Sequence, residues 1–235
     1  MTAPAMKTKP RIILALIIGL IGWASTASAH YLWVTLSAKS GQHCTTKIYF
    51  EGGPGPGTGE HLDPFIDHGT TWIRTVNNPM GLRVKMEVGK KPKSRWLTAL
   101  LPGAAPRSID SHGKWGVYRY GKTDVRTHED LHELAQSEKL ELDIVPHEHG
   151  GTMELKVLWR GKLAAGRTVY IRGPKGFKKN PKTNDAGEVK FKPEADGRYL
   201  FRTNVEEKAN GTDGGKEYQL KRYHATLVMN LPLDR

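Results

Sequence analysis

The chain has 235 residues, a formal net charge of +12 and a single cysteine, Cys44. One cysteine excludes an intrachain disulfide, so stability has to come from a buried core or a bound metal ion. The positive charge favours weak attraction to anionic envelope surfaces, but lysine and arginine are scattered and form no nucleic-acid-binding motif, so nucleic acid is not an expected partner.

The chain begins with a basic and then an apolar segment. Three basic residues precede a 13-residue apolar run over residues 12–24, and the small residues Ala-Ser-Ala follow at 27–29. This order is typical of a secretory signal, and the run is shorter than the roughly 20 residues that a membrane-spanning helix needs. We therefore expect a signal peptide over residues 1–29 and an exported protein, periplasmic or extracellular, that begins at His30. Cleavage after Ala27 also fits the pattern.

Short segments rich in valine, isoleucine, threonine and aromatic residues follow, several with period-two alternation, which is typical of β-strands. In the first half they are HYLWVTLS, TTKIYFEG, TTWIRTV, LRVKMEV, RWLTALL and KWGVYRYG. In the second half they are TMELKVLWRG, GRTVYIRG, GEVKFKP, GRYLFRTNV and RYHATLVMNL. Between the first strands lies the Gly/Pro-rich stretch 51–64, which we expect to be an exposed loop.

These segments predict an all-β fold with two consecutive Ig-like antiparallel β-sandwich domains. The segment RTHEDLHELAQSEK, residues 126–139, has the one helical pattern of the mature chain and predicts a short connecting helix. We place an N-terminal domain over residues 30–139 and a C-terminal domain over residues 140–235.

Several segments together resemble a known family. AHYLWV directly after the signal, GKWGVYRYG, VLWRGKLAAGRTVYIRG, TNDAGEVKF and EYQLKRYHATLVMNL are similar to the exported two-domain proteins of a widespread family of unknown function, once described as a periplasmic component of cobalt or nickel transport. The second half also resembles carboxypeptidase-regulatory, Ig-like sandwiches. The resemblance implies a metal-handling role, a membrane metal transporter as a partner, and His30 and His224 as characteristic histidines.

The chemistry of an N-terminal His30 indicates metal binding independently. Its α-amine and ring Nδ1 can chelate one ion, and a free α-amine titrates near pH ~8. One further imidazole would give three nitrogens, a set that suits Cu(II) or Ni(II), with cobalt and zinc left open. His224 is the first choice because it lies on a predicted strand. His61, in the Gly/Pro-rich loop, and His112, in DSHGKW, are weaker candidates.

The sequence therefore predicts an exported nickel, cobalt or copper carrier or buffer. One alternative is an enzyme with copper oxidative chemistry at the same N-terminal site. Another is a zinc hydrolase, because His128, Glu129 and His132 form an H-E-x-x-H pattern that can bind zinc on a helix. Charged residues at Asp130 and Glu133 and the short predicted helix argue against the hydrolase. An envelope structural or adhesion module without metal is a further alternative.

Overall fold

The structure, a computed structural model, describes residues 30–38, 43–75, 77–102, 107–115, 117–125, 134–213 and 215–232. Strands in antiparallel sheets dominate these residues, which confirms the all-β fold class. The predicted signal peptide and residues 126–133 of the predicted connecting helix lie outside them. Within the described ranges, no helix has the length and hydropathy needed to cross a lipid bilayer.

Most predicted strand segments form strands, because alternating apolar and polar residues can bury one face of a pleated ribbon. The elements of the first half are β1 (Tyr31–Ala38), β2 (His43–Glu51), α1 (Asp63–His68), β3 (Thr70–Thr75), β4 (Asn78–Arg83), β5 (Glu87–Lys91), β6 (Ser94–Pro102), β7 (Arg107–Trp115) and β8 (Val117–Val125). Those of the second half are β9 (Leu142–His149), β10 (Thr152–Trp159), β11 (Lys162–Leu163), β12 (Tyr170–Arg172), β13 (Lys178–Lys179), β14 (Glu188–Phe191), β15 (Gly197–Asp213) and β16 (Lys216–Leu231).

The N-terminal half contains a four-stranded sheet in the order β1-β2-β6-β5. Its inward side chains form one hydrophobic core with α1, in which Leu32, Ile48, Phe50 and Phe65 are all at most 3% exposed. The opposite face of β1 carries Tyr31 and Trp33, which belong to a separate buried cluster. Both faces of β1 are therefore covered, as expected for a strand in the interior of a protein.

The second half contributes a sheet in the order β11-β10-β14, with β9 also paired to β10. Pro146 lies inside β9. Proline is tolerated in a strand that lies at a sheet edge. The hairpin between β9 and β10 turns at Gly150 and Gly151, both with positive φ, a conformation that glycine adopts at little cost.

An eight-stranded sheet joins the two halves, in the order β13-β12-β15-β16-β8-β7-β3-β4. Its central pair, β16 with β8, is parallel and connects the end of the chain to its first half. Strands from both sides of the predicted boundary near residue 140 therefore share one sheet, and the boundary itself stays a prediction.

One buried hydrogen bond ties β16 to β1. The Thr226 hydroxyl donates to the Leu32 carbonyl oxygen at 2.6 Å, across 194 residues of sequence, and both residues are at most 3% exposed. This contact ties β1, the edge strand of its sheet, to the last described strand, β16.

Replacement of Thr226 by valine should lower the free energy of unfolding by about 1–2 kcal/mol, because it deletes this buried hydrogen bond while preserving volume. Urea denaturation measures the change. Thr226→Ser retains the hydroxyl and should lose less stability; equal losses in the two variants would contradict the role of the hydrogen bond.

Candidate metal-binding site

His30 lies immediately before β1, and its side chain is about one-quarter exposed. Its ring packs against Phe50 of β2, with ring centroids 5.6 Å apart. Next to Phe50 is Glu51, the last residue of β2, whose backbone carbonyl accepts a hydrogen bond from the Trp33 indole at 3.0 Å. The antiparallel pairing of β1 with β2 therefore sets His30 beside the end of β2.

The Glu51 side chain organises the Gly/Pro-rich loop that follows it. Its Oε1 accepts a hydrogen bond from the backbone N–H of Gly59 at 3.0 Å. A Cβ on Gly57 would overlap the Glu51 carboxyl group, so the loop backbone lies directly against the carboxylate. Gly59 has φ +63°, in the left-handed region that favours glycine. The close approach of Glu51 thus explains the glycine at position 57, and the positive φ explains the glycine at position 59.

Further contacts hold the loop against the sheet. Gly57 forms a bridge with Arg95 of β6, whose guanidinium reaches the Asp63 carboxylate at 2.6 Å. Leu62 is fully buried, and Phe65 packs on Phe50 with ring centroids 4.6 Å apart. The stretch expected to be an exposed loop therefore has a buried end and leads into α1, because its apolar residues complete the core.

This path of the loop brings His61 to His30. The two rings meet edge to face, with centroids 5.1 Å apart and an interplanar angle of 90°. The Glu51 Oε2 atom lies 3.9 Å from Nε2 of His30. Two imidazoles and one carboxylate thus converge at the end of β2, and we call these three residues the His30 cluster.

The other favoured histidine, His224 on β16, packs on a residue of β1. Its ring packs edge to face on Tyr31, at 5.3 Å between centroids. Tyr31 faces away from the core that contains Phe50, and its ring also carries the Arg202 guanidinium at 4.1 Å. His30 therefore packs on Phe50 and His61, whereas His224 packs on Tyr31, a member of a different buried cluster from Phe50.

The remaining candidates fall outside what the structure describes in detail. The backbone of His112 lies in β7, opposite Thr70 of β3, but its side chain is not among those described. The H-E-x-x-H residues His128, Glu129 and His132 lie outside the described residues.

Imidazole nitrogens are common ligands of the borderline ions nickel, cobalt, copper and zinc, and a nearby carboxylate can orient a ligating ring. The described residues contain no group of three or more histidine, cysteine, aspartate or glutamate side chains arranged to hold an ion, and this includes the three residues of the His30 cluster.

Glu51 was not predicted from the sequence as a functional residue. It reads as the polar end of a strand, and the signal that would have found it is its position directly before GGPGPGTG, where glycines allow a backbone to approach a side chain closely.

The fold and the site define an all-β protein in which two histidine rings meet beside the end of β2. The chain belongs to the family described as "Domain of unknown function (DUF4198)", whose model matches residues 61–207. The match includes His61 and extends across the predicted domain boundary. A search of curated proteins finds no match.

Two solved structures show low similarity to the chain. The "D0-D1 domain of Intimin" is 9% identical with a TM-score of 0.23, covering 84% of this chain and 96% of that one. The "Biofilm associated protein - BSP domain" is 9% identical with a TM-score of 0.20, covering 83% of this chain and 29% of that one. At such scores neither likeness indicates a function for this chain.

Gly57→Ala should turn the Glu51 carboxyl group away from the loop, because the new methyl group would overlap it. We expect a loss of about 0.5–1.5 kcal/mol in the free energy of unfolding, since the hydrogen bond from Gly59 N–H to Glu51 is lost. Urea denaturation measures the loss, and NMR of the His30 and His61 rings reports their separation.

Gly55→Ala is the matched control in the same loop, since a Cβ there would meet nothing within 4 Å. Equal stability of the two variants, with unchanged histidine resonances in both, would contradict the close packing of Gly57 on Glu51.

Proposed function

We propose that this protein is an exported carrier or buffer of a transition-metal ion, of the nickel, cobalt or copper type with zinc as a further candidate, and that the His30 cluster binds the ion. The observation that supports the proposal is the edge-to-face contact of the His30 and His61 rings beside the Glu51 carboxylate. The two histidines are far apart in sequence, and they converge because the Glu51 carboxylate holds the glycine-rich loop that carries His61.

Export completes the ligand set in this proposal. Removal of residues 1–29 would give His30 a free α-amine, which can close a chelate with the ring Nδ1 of the same residue. His61 then supplies the second imidazole, for three nitrogens in all. Such a nitrogen-rich set favours Cu(II) and Ni(II) thermodynamically, while metal supply decides which ion occupies it.

Glu51 has two roles in the proposed site. Its Oε1 holds the loop through Gly59, while Oε2 faces the His30 ring. A carboxylate that hydrogen-bonds to a ligating histidine orients its ring, and Glu51 would take this role by closing the present 3.9 Å separation from His30 Nε2. Since Glu51 is mostly buried, with 18% of its side chain exposed, its charge is poorly screened by solvent.

The central test is a titration of the metal-free protein with Ni²⁺, Co²⁺, Cu²⁺ and Zn²⁺, followed by isothermal calorimetry and intact-mass analysis. His61→Ala should weaken binding of the preferred ion by at least about 100-fold, since it removes a direct ligand. His68→Ala, an exposed histidine at the end of α1, is the matched control and should leave the affinity unchanged. Equal affinities of the two variants would overturn the proposed ligand set.

The contribution of the α-amine is tested separately. A form of the chain that retains residues 25–29 ahead of His30 keeps both imidazoles but places the terminal amine five residues away. It should bind Ni²⁺ at least about tenfold more weakly than a form that begins at His30, because one chelating nitrogen is absent. Equal affinity would remove the amine from the site, and intact mass of the exported protein establishes where the natural chain begins.

An activity assay on the metal-loaded protein distinguishes a carrier from an enzyme. Formation of hydrogen peroxide by the copper form in the presence of ascorbate would assign oxidative chemistry to the site. Tight binding without turnover is the outcome that the carrier proposal expects.

A further inference from the structure

A second feature is a cavity of about 440 Å³, open to solvent on one side and lined by the four-stranded sheet, α1, β3 and the segment 83–86 that leaves β4. Its volume is in the range of ligand pockets, roughly 300–1,000 Å³. It is distinct from the His30 cluster, since none of His30, Glu51 and His61 lines it.

The inner wall of the cavity is apolar. Leu32, Ile48 and Leu97 contribute from three adjacent strands, and Phe65 contributes from α1. Each of these side chains is at most 5% exposed. Water in such surroundings lacks hydrogen-bond partners, so an aliphatic group would be a better occupant than solvent.

The outer part of the cavity is cationic. Arg83 and Lys85 line it, both are exposed, and neither makes an ion pair with a carboxylate in the part of the chain that the structure describes. They lie two residues apart, so in extended backbone their side chains project to the same side. Among the described residues that line the cavity, none is acidic, so no carboxylate there offsets their charge.

We propose that this cavity binds an amphipathic anion, a carboxylate with an aliphatic body such as a medium-chain fatty acid. The aliphatic body would occupy the space between the sheet and Phe65, and the carboxylate would accept charge-assisted hydrogen bonds from Arg83 and Lys85. A small hydrophilic anion would leave the apolar wall without contacts, and a neutral hydrocarbon would leave both cations without a partner. The net positive charge of the chain also favours approach of an anion.

The proposal is tested with octanoate as the probe, by isothermal calorimetry on the protein recovered after expression of the whole chain. Octanoate should bind at least about tenfold more tightly than octan-1-ol, which has the same aliphatic body but no charge. The double variant Arg83→Gln, Lys85→Gln should reduce octanoate affinity at least about tenfold. Absence of octanoate binding, or equal binding of the alcohol, would overturn the proposal.

The double variant Lys90→Gln, Lys91→Gln is the matched control. It changes the net charge equally, but both lysines are exposed on β5 and neither lines the cavity. Its octanoate affinity should stay within roughly twofold of the unmodified protein, because distant exposed charges are screened. An equal loss in both double variants would assign the effect to general charge attraction and overturn a defined site.

The apolar wall is tested by filling the cavity. Val84→Phe places a larger side chain in its lining and should abolish octanoate binding while Ni²⁺ affinity is retained. A retained unfolding transition shows that this variant is folded. Unchanged octanoate affinity in the folded variant would place the ligand elsewhere on the protein and overturn the assignment.

Discussion

The close contact between the Glu51 carboxylate and the loop backbone is the constraint on which the candidate site depends. The carboxylate accepts the Gly59 N–H, and in this position it occupies the space that a Cβ at position 57 would take. A mostly buried carboxylate needs such partners, because an unpaired buried charge is costly. The same contact that satisfies Glu51 directs the loop back over the end of β2 and sets His61 against His30.

The two faces of β1 contact different parts of the protein. One face packs into the core with Phe50 and Phe65, and the His30 cluster and the cavity lie on that side. The other face carries Tyr31, which contacts His224 and Arg202 of the C-terminal strands. The second half of the chain thus packs on the face of β1 that carries Tyr31. Together with the Thr226 hydrogen bond, this packing holds β1 in place.

The His30 cluster and the cavity have a common neighbour in the Phe50–Phe65 pair. Phe50 contacts the His30 ring, and Phe65 both packs on Phe50 and lines the cavity. Closely packed aromatic rings transmit small displacements, because protein interiors have little free volume.

The sequence by itself determined the β-strands, since the alternation of apolar and polar residues is a local property that a pleated ribbon requires. It also singled out His30 through the signal-like segment before it, and it excluded disulfide support through the single cysteine. Only the tertiary structure decided that His61 lies beside His30 and that the His224 ring packs on Tyr31. Periodicity states which side of a strand a residue occupies, but it does not state which distant segment covers that side. That was decided by the Glu51 carboxylate, two glycines and the buried Leu62, which act together only after the loop has folded onto the sheet.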